Sequence, residues 1–255
     1  MPSKRVISFS VWGDNHAYTA GAVANALIAP KVYPGWVCRF YCDSKVPTDD
    51  LKALIDLGAE IVMKPESDDF MGLYWRFEPM YDDPTIERFI VRDTDSRLNG
   101  REKDAVDEWI ESGHLFHIMR DNPSHNIYVM GGMWGSVPMI IPEFETLMRS
   151  WIVGLKPDKE NPKGKYHGTD QMFLCKVIWP YIKHCHLAHT DLDALKYTQR
   201  EKPFRVKLNR DGYVGMIWSE KDQDRCEVQN GEVPDTGSIA SEYSDSEAQM
   251  NGGEA

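Results

Sequence analysis

The sequence predicts an α/β fold: a mixed, mainly parallel sheet flanked by helices, within a single domain. Three observations predict it. Short apolar runs alternate with helix-length stretches through the first half of the chain. The helical stretches end at turn-forming residues such as Gly58. Apolar residues make up 42% and charged residues 27% of the 255, which suffices for one sizeable core.

Residues 6–11 read as a first strand, stopping at Trp12-Gly13-Asp14-Asn15. A helix follows over about 18–29, where Ala22, Ala24 and Ala26 favour it. The second strand covers 37–42 and ends at Asp43. Pro47 and Thr48 open a helix that turns Leu51, Leu54, Ile55 and Leu57 to one side. Residues 60–63 make a third strand. Gly72-Leu73-Tyr74-Trp75-Arg76-Phe77 opens a further helix, and Asp83-Pro84 breaks the chain. Residues 88–92 form the fourth strand, 101–111 a helix and 116–119 a strand. Beyond these, Gly131-Gly132-Met133-Trp134-Gly135 reads as a flexible loop, 142–151 as a helix and 156–168 as a Pro/Gly/Lys-rich loop. An apolar helix then starts at Thr169-Asp170-Gln171 and ends near Pro180.

The net charge of −11 is unevenly placed. Residues 219–255 hold ten acids against Lys221 and Arg225, so that segment carries −8 and the body −3. Its Ser/Asp/Glu/Gly composition without periodicity reads as a disordered acidic tail, leaving residues 1–218 as the folded domain. No positive stripe of the kind nucleic-acid binding uses is present, so no nucleic-acid partner is expected. The five cysteines form no CxxC pair and are odd in number, as suits a reducing compartment. No run approaches about 20 apolar residues, and no signal-peptide pattern precedes the first strand. The expectation is a cytoplasmic protein.

The strongest local signal is Phe89-Ile90-Val91-Arg92-Asp93-Thr94-Asp95-Ser96. In open α/β sheets ligands gather beyond the carboxyl ends of strands. A turn at such an end brings two carboxylates to one divalent ion, and that ion as Lewis acid stabilises a departing diphosphate. Asp-x-Asp alone is a common pattern. Its position straight after an apolar strand is what favours a site.

With Ile7-Ser8-Phe9-Ser10, Trp12-Gly13-Asp14, Tyr33-Pro34-Gly35-Trp36 and Gly131-Gly132-Met133-Trp134-Gly135, this motif carries a wider likeness. From residue 6 to about 189 the chain resembles the nucleotide-sugar-dependent glycosyltransferases of the GT-A fold, including the family 8 type. The resemblance implies a donor that is a nucleotide-diphosphate sugar, by family habit a UDP-sugar. The acceptor, be it glycan, protein or small molecule, stays open. It also implies Mn²⁺ or Mg²⁺ held by Asp93 and Asp95. His189 would complete the shell, with His186 as the fallback; a structural histidine is the plain alternative, and the usual Gly and Lys after that histidine are absent.

Trp12, Asp14, Asn15 and Tyr18 would hold base and ribose, although Asp14 or Asn15 equally suits a helix N-cap. Arg76 would fork onto the diphosphate or form an ion pair. Trp134 would stack on the sugar, or pack in the core. Asp170 and Gln171, in His167-Gly168-Thr169-Asp170-Gln171, match the acceptor-side motif. There Asp170 is the candidate base, against a reading in which Thr169 caps the helix. His117, Arg120 and Asp121 are expected along the same cleft. The rival readings are a nucleotidyltransferase, against which the acidic, glycine-poor Trp12-Gly13-Asp14-Asn15-His16 loop speaks, and a binding module without turnover.

Overall fold

The computed structural model describes residues 4–67, 70–155, 167–208 and 212–218. Eight strands form one sheet: β1 (Lys4–Val11), β2 (Trp36–Cys42), β3 (Glu60–Met63), β4 (Ile86–Val91), β5 (Phe116–Met119), β6 (Trp134–Ser136), β7 (His186–His189) and β8 (Glu201–Lys202). Their order is β3-β2-β1-β4-β6-β5-β7-β8. All neighbours pair in parallel except β6, which runs antiparallel to both β4 and β5. The expected mixed, mainly parallel α/β sheet is the one observed.

Strand alternation divides the core in two. Ile7, Phe9, Val11, Phe40 and Ile90 face α1 (His16–Val32), α2 (Thr48–Asp56) and α3 (Gly100–Ser112), burying Ala22, Ala26, Ala29, Leu54, Val106 and Trp109. Val6, Phe89, Val91, Phe116, Ile118 and Trp134 face the other way. They meet a 3₁₀ segment (Phe70–Met80), α4 (Phe144–Gly154) and a helical run made of α5 (Thr169–Phe173), a π turn (Leu174–Ile178) and α6 (Trp179–Ile182). Ser8 and Ser10 lie on this second face and are buried. The Ser8 hydroxyl donates to the Arg76 carbonyl at 2.8 Å, and Ser10 Oγ accepts the Arg76 N–H at 2.9 Å. The alternating serines of β1 thus sew the 3₁₀ segment to the sheet.

Several expectations change. The stretch at Gly72 is 3₁₀ rather than α. The expected loop at 131–135 enters β6 at Trp134. The histidine-rich stretch 184–189 contains β7, which was not expected as a strand. The helix from Thr169 reaches Ile182, with its π turn just before Pro180, whose ring and missing N–H disfavour an unbroken α ladder there. Thr169 does not cap it; the N-cap is Gly168, in the left-handed region, and the Thr169 hydroxyl pairs with that of Tyr74. Residues 156–166, most of the expected Pro/Gly/Lys loop, and the acidic tail 219–255 lie outside the described residues. Cys38, Cys42, Cys175 and Cys185 are free thiols. Among the described residues no helix is long and apolar enough to cross a membrane.

The turn after β4 is clamped from α1. Asn25, buried on the alanine face, donates to the carbonyls of Ser96 (2.8 Å) and Gly21 (3.0 Å) and accepts the Leu98 N–H (3.1 Å). α1 lies so close there that a Cβ on Gly21 would stand 2.1 Å from the Thr94 carbonyl oxygen. Gly21→Ala is therefore expected to destabilise the protein by about 1–3 kcal/mol. Urea unfolding checks this, and an unchanged midpoint would show that helix and turn can separate freely.

Candidate functional site

Alternation along β4 carries past its end. Arg92 points toward α3, where its Nε donates to Glu102 at 3.1 Å and its Nη1 to the Trp134 carbonyl at 3.3 Å. Asp93 points to the opposite face, toward Arg76 and α5. Arg76 is buried there with its guanidinium forked: Nη1 donates to Asp93 Oδ1, and Nη2 to Asp170 Oδ2 at 2.9 Å. Asp170, 1% exposed at the start of α5, has no partner for Oδ1 among the described residues. Such an orphaned acceptor is costly unless a ligand completes it.

A cleft of about 330 Å³ opens over these groups. Asp93 and Asp95 lie at its base, with Trp12, Tyr18, Arg76, Asp170 and Gln171 around them. Burial, and next the Asp93 carboxylate, push Asp95 up to about 6, while Arg76 and Arg97 pull the other way. Tyr18 is raised by burial and then by Asp95 and Asp93, as expected of a phenol beside the acid pair. Trp12 sets its ring edge-on to Phe70 and Trp75, and a Cβ on Gly72 would come within 2.7 Å of that ring. Gly131 and Gly132 stand tight against the two carboxylates. A Cβ on Gly132 would lie 1.9 Å from Asp93 Oδ2, and one on Gly131 2.5 Å from Asp170 Oδ2. Gln171 Oε1 accepts the Gly131 N–H at 3.4 Å, holding that loop against the carboxylates.

Other expected residues stand elsewhere. His189 is fully buried, with Nδ1 2.9 Å from His117 Nε2 and Nε2 3.2 Å from Glu108. Alternation along β7 sends it toward α3, on the face opposite Asp93, so it cannot join Asp93 and Asp95 at one ion. His186 is buried against the Ile182 carbonyl and Trp179. Trp134 is core: it stacks on Phe116 and meets Phe77 and Phe89 edge-on, at 0% exposure. Asn15 caps α1 by accepting the Ala17 N–H, Asp14 is exposed, and neither lines the cleft. Of the two readings of Arg76 the ion pair is the one observed, buried and shared by Asp93 and Asp170. His117 stacks on Trp109, Arg120 pairs with Glu201 and Asp121 with Arg101; none of the three lines the cleft, and Asp121 stands behind His125.

Two sets of cleft residues were not foreseen. His125 lines it, and burial pushes its imidazole down to about 4, so it is neutral near pH 7. Its Nδ1 accepts the Asp121 N–H at 3.0 Å, leaving the proton on Nε2, a donor rather than a metal ligand. The segment 212–218 supplies Tyr213, Gly215 and Ile217, and the Trp218 N–H donates to the Asp95 carbonyl at 2.8 Å. Asn25 had a legible signal, being the one amide among Ala22, Ala26 and Ala29 on the buried side of α1. For His125 and 212–218 no periodic signal exists.

Among the described residues no three His, Cys, Asp or Glu side chains converge as a closed metal cage. Two carboxylates in one cleft do suit a magnesium-like ion that arrives with phosphate oxygens and keeps water ligands. The donor set fits that use and not a resident structural metal.

No family model matches the chain, and no curated protein matches it. Among solved structures the fold is similar to that of glucosyl-3-phosphoglycerate synthase from Mycobacterium tuberculosis, in a complex with Mn²⁺, uridine-diphosphate-glucose and phosphoglyceric acid. That pair has a TM-score of 0.43 and 9% identity over 74% of this chain and 70% of that one. It is also similar to 4-diphosphocytidyl-2C-methyl-D-erythritol synthase from Anaerococcus prevotii, with a TM-score of 0.45 and 9% identity over 77% of this chain and 92% of that one.

Two outcomes test the electrostatics. Because folding raises the Asp95 pKa, the folded state binds this proton more tightly than the unfolded chain does. Its ionisation therefore removes stability as pH rises from about 4 toward about 6. Asp95→Asn is expected to be more stable than the parent above pH 6, by about 1–3 kcal/mol, with the gap closing toward pH 4 in urea midpoints. Arg76→Met leaves Asp170 buried without its counter-charge and is expected to cost about 3–5 kcal/mol. Adding Asp170→Asn should recover part of that loss; no recovery would place the cost in packing.

Proposed function

We propose that the chain is a divalent-metal-dependent glycosyltransferase that uses a nucleotide-diphosphate sugar, with UDP-sugars as the first donors to test. The observation that carries this reading is the acid pair Asp93 and Asp95, lining one cleft beyond β4 together with Asp170, three carboxylates against the guanidiniums of Arg76 and Arg97. Asp93 and Asp95 would hold Mn²⁺ or Mg²⁺. When bound, the ion would neutralise charge building on the departing diphosphate. The Trp12 and Tyr18 wall offers rings for a base or ribose. His125, with its proton on Nε2, offers a neutral donor to anionic or hydroxyl oxygen.

If the transfer inverts the anomeric carbon, Asp170 is the group suited to take the acceptor's proton; if it retains, the departing phosphate serves as base. Arg76 fixes Asp170 Oδ2, so the unpartnered Oδ1 is the atom left to accept. Gln171 sits beside it and sets the glycine loop. A family 8 relationship belongs to this proposal as well, without the metal histidine that family uses, since His189 lies across the sheet.

Incubation with UDP-sugars and Mn²⁺ is expected to release UDP, and Asp95→Ala to lower that release at least about a hundredfold. Mn²⁺ alone should raise the melting temperature little and Mn²⁺ with UDP more, since a two-carboxylate site needs the diphosphate to complete it. No UDP release with any common donor, together with pyrophosphate release from a nucleoside triphosphate, would replace this reading by nucleotidyl transfer. Metal-dependent UDP binding without turnover would leave a binding module.

A further inference from the structure

A second cavity, of about 570 Å³, shares no lining residue with the acidic cleft. Its aromatic wall is Tyr128 stacked on Trp179 (centroids 4.5 Å, 6° apart in plane), with Tyr197 edge-on to Tyr128 at 5.0 Å. Lys183 and Arg200 supply its charge, His184 lies beside them, and no lining residue is acidic. Lys183 is exposed and has no ion-pair partner among the described residues. The Arg200 guanidinium pairs with no carboxylate there and lies 3.5 Å from the His114 ring. In a chain of net charge −11, two uncompensated cations at one concave aromatic site form a local positive field.

The site is also braced from beneath. Arg120 is wholly buried and paired with Glu201 at 3.1 Å; its Nη1 donates to the Tyr128 carbonyl at 2.6 Å, and its guanidinium lies 4.9 Å from the Tyr197 ring centre. Glu201 in turn accepts the N–H groups of Tyr197 and Thr198, each at 2.9 Å. One buried ion pair therefore fixes the segments that carry Tyr128 and Tyr197. Preorganised rings at a polar opening lower the ordering cost of binding.

We propose that this cavity binds an anionic saccharide, a sugar ring carrying a phosphate or a carboxylate. The apolar face of a pyranose packs on the aromatic wall, the Gln199 amide matches ring hydroxyls, and Lys183 and Arg200 take the anion. The volume accommodates a mono- or disaccharide. The proposal concerns binding alone and does not depend on the reaction at the acidic cleft.

Saturation-transfer NMR and calorimetry on the full chain test it, with glucose 6-phosphate and glucuronic acid as probes and glucose and UMP as controls. Either anionic sugar is expected to bind, more weakly as salt rises. Lys183→Glu, at an exposed position, is expected to weaken that binding by about tenfold or more. Asp95→Asn should leave it unchanged. Absence of binding by both anionic sugars at about 10 mM would overturn the proposal, as would equal binding by glucose. Loss of binding in Asp95→Asn would move the ligand to the acidic cleft and overturn it too. UMP binding that survives Asp95→Asn and fails in Lys183→Glu would replace the saccharide by a nucleotide.

Discussion

The site depends on one buried guanidinium. Arg76 joins Asp93, delivered by β4, to Asp170, delivered by α5, while its own main chain is stitched to β1 by Ser8 and Ser10. Three segments far apart in sequence are thereby brought to one point. Three carboxylates against two guanidiniums, Arg76 and Arg97, leave the acids in excess among the described residues. That excess accounts for part of the upward shift of Asp95, and it is the physical basis for expecting a divalent ion beside a diphosphate.

The same strand that delivers the acids also anchors itself. Arg92 goes to the α3 face and pairs with Glu102, which also accepts the Tyr33 hydroxyl at 2.8 Å. Asp93, one residue later, goes to the other face. The turn between the two environments is gripped by Asn25 and by Ser96, whose hydroxyl donates to the Asp93 carbonyl at 3.0 Å. Rigid support beneath a short acidic turn allows two like charges to be held close at a cleft base, where a loose loop would let them separate.

Much of this fold was legible. β1 to β5 announce themselves as apolar runs between helices, and Asp93, Asp95, Asp170, Gln171, Trp12 and Tyr18 all line one cleft. β6 was not legible because it is three residues, Trp134-Gly135-Ser136. A Cβ on its glycine would fall 2.8 Å from the Phe89 carbonyl oxygen, so tight packing selects the residue that reads as loop. β7 hid for another reason: two of its four residues are histidines, and both are buried by tertiary contacts that no local pattern shows. The misplacement of His189 follows directly. Without knowing that 186–189 is a strand, its alternation, and hence the face it serves, could not be read. His125 and Tyr213 come from irregular segments whose positions only the folded chain defines.

The segment 212–218 runs past the last strand and closes the acidic cleft on one side, tied by Trp218 to the Asp95 carbonyl and by Val214 to Asp121. A Cβ on Gly215 would meet Met133 Sδ at 2.8 Å, so this stretch is seated on the glycine loop as well. A chain shortened to end at β8 would therefore keep every strand of the sheet and yet lose one wall of the acidic cleft, with its acid pair open to bulk water and the local dielectric raised around it. Sheet architecture and ligand enclosure are encoded in separate parts of this polypeptide, and a domain boundary drawn from regular elements alone would cut between them.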